Sequence, residues 1–168
     1  MVDSSSEIFV GLGDSTHILR VLLRLGSAVI VGGIFGFERE LEHKRAGLRT
    51  HMLVALGAAL FTLIAAEMSA EVSRVIQGIA AGIGFIGAGT IFKLTEQQEV
   101  KGLTTAACIW VTAAAGTALG AGLFWPVIIA VLFAWTIMMT LHRLEHWIRP
   151  RSPTRIESFE RPARERDG

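Results

Sequence analysis

Between Leu103 and Leu141 the chain runs for 39 residues without an aspartate, glutamate, lysine or arginine. One α-helix of that length would reach about 58 Å, roughly twice the hydrocarbon thickness of a bilayer. The run therefore has to fold back on itself. The segment GTALGAGLFWP, Gly116 to Pro126, is where glycines and a proline end one helix and start another.

Shorter uncharged runs precede it. Leu25 to Phe37 has 13 residues, or 17 if begun at Val21 with Arg24 included; Met52 to Ala66 has 15 and Val75 to Phe92 has 18. Of 31 charged residues, 16 lie in segments 1–20 and 142–168, leaving 15 for the 121 between. Half the chain is apolar and its mean hydropathy is +0.50. A soluble bundle with an apolar core would suit the 13- and 15-residue runs taken alone, but so many runs in a chain this small leave too little polar surface for water. The expected fold is all-α: a polytopic membrane bundle of about five transmembrane helices, near 20–37, 51–67, 74–92, 103–119 and 125–142.

Alternating the sides places 13 Lys and Arg with the 38–50 loop, the 93–102 loop and the tail, against Arg20, Arg24 and Arg74 opposite. The positive-inside rule then puts the N-terminus outside and the C-terminus in the cytoplasm. MVDSSSE is acidic where a secretory signal carries its positive region, so the first span is expected to be its own insertion signal. Cys108 is the only cysteine, which rules out an intramolecular disulfide. The expected organisation is a short segment 1–19, a transmembrane domain 20–142, and a charged, largely disordered cytoplasmic tail 143–168.

GIAAGIGFIGAG, Gly78 to Gly89, contains G-x-G-x-x-G at Gly82, Gly84 and Gly87. A dinucleotide loop needs a strand before the first glycine and a helix opening at the last, whereas these glycines sit inside one apolar run. Neither a cofactor nor a nucleic acid partner is expected. On a helix, Gly78, Gly82 and Gly89 fall within an arc of about 40°, while Gly84 and Ala88 lie opposite, beside Gln77 and Ala81. Ile79, Ile83 and Ile86 form a separate stripe. Two flat faces predict a hub between two close neighbours, with the Gln77 amide meeting another helix. Small-xxx-small pairs recur at Gly32 and Gly36 and at Gly116 and Gly120, consistent with a tightly packed bundle; two copies can also pair through one such face.

Polar candidates gather at the boundaries. In ERELEHKRAGLRTH, Glu40 with Lys44 and Glu42 with Arg45 predict a short surface helix ending near Gly47, with Thr50 capping the second span. Glu38 and Glu42 share a face that could offer oxygens to magnesium, but the surrounding bases favour solvated ion pairs, so no metal site is expected. Glu67, Glu71 and Arg74 read as boundary charges. Arg24, one turn inside the first span, must snorkel or find a partner, and snorkelling is cheaper. Lys101 and Gly102 precede a helix that Thr104 or Thr105 can cap. His142 and His146 are i,i+4, which zinc can use, but Trp147 and Arg149 beside them point to an interfacial anchor.

Four strings, GFERE (36–40), AGLRTHMLVALGAALFTL (46–63), GIGFIGAGTI (82–91) and KGLTTAACIWVTAAAG (101–116), resemble the MgtC/SapB family of bacterial membrane proteins in the family's order. The resemblance implies a multi-pass inner-membrane protein without enzymatic activity. It also implies a link to adaptation to low magnesium and other stress and, in pathogens, to survival inside macrophages. Such proteins are thought to act on other membrane proteins, including the proton-translocating ATP synthase. Positions matching the family's polar residues are Glu38, Arg39, Arg49, Thr50, Arg74, Gly102, Thr104, Thr105 and Trp110. Departures are Lys101 where arginine is usual, a longer 93–101 loop, and Gln77 one place from the usual glutamine position. Many members also carry a soluble C-terminal domain resembling ACT domains.

The functional expectation is a regulatory membrane protein that binds partners, with Glu38, Arg39, Arg49 and the KGLTT segment as a cytoplasmic polar cluster. A small-ion transporter or channel subunit is the alternative. Transport calls for acidic or amide groups deep in several spans, and only Gln77, threonines and Arg24 approach that depth. No catalytic set is apparent.

Overall fold

The computed structural model describes residues 15–68, 71–94 and 99–148, and side chains within 15–68, 71–91 and 100–140. Five helices dominate them: α1 (Ser15–Leu41), α2 (Leu48–Glu67), α3 (Val72–Thr90), α4 (Leu103–Gly120) and α5 (Phe124–Ile148). Between α3 and α4, β1 (Phe92–Leu94) and β2 (Glu99–Lys101) pair antiparallel, Phe92 opposite Lys101. This small hairpin was not expected, and it leaves the class all-α. Four helices, α1 to α4, are long and apolar enough to cross a membrane; the apolar stretch of α5 among the described residues, Phe124–Thr140, is shorter. The tail expected to be disordered falls mostly outside the described residues, and the side chains of His142 and His146 fall wholly outside them. The chain divides into two compact units, Met1–Val131 and Leu132–Gly168, and α5 runs through the division.

Local chemistry sets the helix ends. α1 stops because His43 adopts φ 53°. That left-handed residue lets its own N–H bond to Glu40 O at 3.0 Å and the Lys44 N–H to Arg39 O at 3.0 Å, which closes the last turn. Gly122, at φ 83°, does the same for α4, with Gly122 N–H on Leu119 O and Leu123 N–H on Ala118 O. The break expected between Gly116 and Pro126 is therefore a two-residue turn at Ala121 and Gly122.

Inside the first unit, α2 lies against α1 on one side and α4 on the other. Gly32 and Gly36 bring α1 onto the start of α2: a Cβ at Gly32 would stand 2.6 Å from His51 O, and one at Gly36 2.6 Å from Leu48 Cα. Gly116 and Gly120 of α4 rest on the Ala55 and Ala59 backbones of α2, close enough that any Cβ would collide with those carbonyl oxygens. Two four-residue steps of small residues thus mesh along two parallel helices. Around them Ala28, Ala55, Ala59, Leu119 and Val127 form a closed apolar core.

The hub expected at α3 is not formed by this chain's own helices. A Cβ at Gly78, Gly82, Gly84 or Gly89 would meet nothing within 4 Å; Gly87 alone of this group has a neighbour, Ala106 at 3.5 Å. Ile83 and Gly87 are the buried residues of α3, and the Gln77 side chain is exposed rather than set against another helix. α3 packs mainly on α4 and more lightly on α2, with Ile83 turned toward Ala58 and Ile109, so its flat faces stay open.

Candidate functional site

The α1–α2 loop, the hairpin and the start of α4 share one end of the bundle. There α1 delivers Glu38, Arg39, Glu40 and Glu42 as its last turn unwinds. Arg39 is 4% exposed, and its Nη1 donates to Glu42 Oε2 at 3.1 Å, an oxygen that Lys44 Nζ approaches at 3.9 Å. Glu40 turns the other way, accepting the Leu48 N–H at 3.0 Å. It caps α2, for which Gly47 occupies the capping position without a side-chain bond. These pairings replace the expected Glu40–Lys44 bond and surface helix, because the left-handed turn at His43 rotates the loop off the helical register. Thr50 lies inside the first turn of α2 and does not cap it. Gly102, at φ 96°, heads α4 in the same way, so neither Thr104 nor Thr105 caps that helix.

Beneath this loop is a polar core that joins Arg39 and Thr105 of the predicted cluster to His51, which sequence reasoning missed. His51 is fully buried, and its Nδ1 is 2.9 Å from Gly47 O. A carbonyl only accepts, so Nδ1 carries the hydrogen and Nε2 presents a lone pair in the neutral ring. That Nε2 and Arg39 Nε are buried without a hydrogen-bond partner among the described residues. Cys108 on α4 lies within electrostatic reach of Arg39, Glu38 and Glu42, and Thr105 is buried one turn above it. His51 had a signal: it is an ionisable residue in the first turn of a span, a position that marks function by default.

Of the predicted cluster, Glu38, Arg39, Arg49, Thr50, Lys101, Gly102, Thr104 and Thr105 belong to this end. Arg39 and Thr105 are buried, Glu38 and Thr50 are half-buried, and Arg49, Lys101 and Thr104 are exposed. Trp110 is further along α4 and 53% exposed. Arg74 and Gln77 are not brought there. They sit near the start of α3, almost the length of that helix away, about 25 Å, and Arg74 Nε pairs with Glu71 Oε2 at 2.6 Å.

At that opposite end Arg24 does not snorkel; its Nη1 donates to Gly120 O at 3.2 Å, and its guanidinium packs on Gly122. A cation on the last carbonyls of α4 also meets the negative end of the helix dipole. Glu67 pairs with His17, Oε1 to Nε2 at 3.3 Å. Deeper in the bundle, the buried hydroxyls of Thr62 and Thr112 are turned onto their own helices, donating to Ala58 O at 2.9 Å and Cys108 O at 2.8 Å. Among the described residues no three His, Cys, Asp or Glu side chains cluster to hold a metal ion.

Comparison with known proteins gives a consistent likeness. Residues 25–147 match the MgtC family. Protein MgtC of Brucella abortus (strain 2308) is 48% identical over 111 residues, 65% of this chain and 46% of that protein. Protein SrpB of Synechococcus elongatus is 37% identical over 158 residues, 84% of this chain and 85% of that protein. The Escherichia coli K12 protein named "Putative magnesium transporter YhiD" is 39% identical over 133 residues, 73% and 61% of the two chains. The chain spans about half the length of the MgtC relatives it matches. No solved structure matches it at a significant level.

Proposed function

The chain belongs to the MgtC family, and on that premise we propose that it is a non-enzymatic regulatory protein of the bacterial inner membrane, active in adaptation to magnesium limitation and related stress. It works by binding other membrane proteins, the proton-translocating ATP synthase being one candidate. The observation that carries this reading is α3. Its Gly84 and Gly89 stand open, Gln77 is exposed, and Phe85 is 84% exposed. A helix with flat faces, an exposed amide and a projecting aromatic ring offers close backbone approach and a hydrogen bond to a neighbouring span. The loop-end cluster adds an exposed arginine, Arg49, at the water boundary.

Capture from native membranes tests this. The chain should bring down a defined set of membrane proteins, and Gly84→Leu or Trp110→Ala should lose at least one of them. Capture of the same set by both variants would remove the site assignment. A second reading, a magnesium transporter or channel subunit, draws on the printed name of the Escherichia coli relative. Against it, no three His, Cys, Asp or Glu side chains come together among the described residues to hold a cation, and the buried polar groups at mid-depth are threonine hydroxyls.

A further inference from the structure

α2 and α3 leave between them an apolar cleft of about 630 Å3, within the size range of ligand pockets. Leu53, Gly57 and Phe61 of α2 and Gly78, Gly82 and Ile86 of α3 line it. A Cβ at Gly57, Gly78 or Gly82 would meet nothing within 4 Å, so three glycines open onto free space. On α3 the cleft runs from Val75 to Ile86, about 16 Å, or roughly one leaflet of the hydrocarbon layer. Every lining side chain is apolar, which suits a hydrocarbon chain better than a polar solute.

The loop end of the same cleft has the opposite character. Arg49 and Thr50 stand one turn above Leu53 and Val54 on α2. The Arg49 side chain is exposed, and among the described residues no carboxylate pairs with it. The N–H groups of Arg49 and Thr50 belong to the first turn of α2, where no intrahelical carbonyl is available; Glu40 takes only the neighbouring Leu48 N–H. A guanidinium, a hydroxyl and first-turn amides at the water boundary are the donors a phosphate oxygen uses.

We propose that the α2–α3 cleft binds one bilayer phospholipid, its acyl chain along Gly57, Gly78 and Gly82 and its phosphate on Arg49 and the first turn of α2. The one-leaflet length and the charge at one mouth fix the occupant: an apolar slot capped by an anion-binding edge at the water boundary matches a phospholipid end to end. Residues 38–50 carry four bases against three carboxylates, and the slight positive excess at this mouth favours a headgroup of net negative charge over a zwitterionic one. The lipid site stands independently of any protein partner.

Native mass spectrometry of the purified chain, with phosphatidylglycerol or phosphatidylcholine added, tests the site. One phosphatidylglycerol per chain should survive activation that strips phosphatidylcholine. Gly57→Leu with Gly82→Leu places each new Cβ in open space and extends the side chains into the cleft, so the variant should melt like the parent and retain about tenfold less lipid. Arg49→Gln, at an exposed position, should lower phosphatidylglycerol retention to the phosphatidylcholine level. Unchanged retention in the filled variant would overturn the proposal. So would finding that this variant releases a second copy or another protein's helix from the cleft while lipid retention stays the same.

Discussion

At Gly102 the backbone takes φ 96° and a Cβ would run into the carbonyl oxygen of Thr90. An alanine there has both the wrong conformation and no room. Gly102→Ala is expected to cost about 1–3 kcal/mol, read as earlier unfolding in a detergent melt. Gly89 is the contrast, helical and open. Gly89→Ala should leave the melt unchanged or raise stability by up to about 1 kcal/mol. Arg24 makes a third test. Its bond to Gly120 O is a charge-assisted one in a site half-closed to water, so Arg24→Leu should destabilise by about 1.5–3 kcal/mol and Arg24→Lys by less. The sequence placed Arg24 at the right depth but not its partner, because a residue 96 positions away supplies the carbonyl. The burial of His51 was illegible for a related reason: its ring bonds to Gly47 locally, while the close approach of α1 through Gly32 is a tertiary contact.

Helix positions were legible because lipid makes one demand that sequence answers directly, an uncharged run long enough to cross. The first span, expected at 20–37, extends over Ser15–Leu41 because its terminal turns hold charges that sit comfortably in water while the backbone stays helical. Partner choice was not legible in the same way. Gly32 with Gly36, Gly78 with Gly82 and Gly116 with Gly120 show the same spacing, yet the first and last pairs touch backbone and the middle pair faces open space. Spacing says that a face is flat, while the neighbour depends on the order in which helices fill the bundle. Gly120→Leu should therefore force α4 off Ala59 and cost about 3 kcal/mol or more. Gly84→Leu should leave the isolated chain folded. Comparing detergent melts of the two variants checks the distinction, and equal destabilisation would place α3 inside a core this structure does not have. The turn at His43 was hard to see for another reason: a histidine at positive φ carries only a weak sequence signal, and its rotation of the loop gave Glu40 to α2 and Glu42 to Arg39.

For the molecule as a whole, the basic loops predict which side each end faces. On a Cys108→Ser background, a cysteine at Lys44 should be shielded from an impermeant thiol reagent added outside intact cells, and one at Met68 should be labelled. The reverse pattern would invert the topology. The proposed function turns on a related asymmetry: among the described residues charged groups gather at the ends of the helices, α1, α2 and α4 meet through small-residue contacts, and the glycine faces of α3 stay open. On the function proposed above, such a molecule acts by contact and is expected not to conduct. The most direct measurement is magnesium uptake into liposomes holding only the purified chain. The rate should equal that of protein-free liposomes. Uptake that rises with protein density and saturates with magnesium would contradict the regulatory account and make this chain a carrier in its own right.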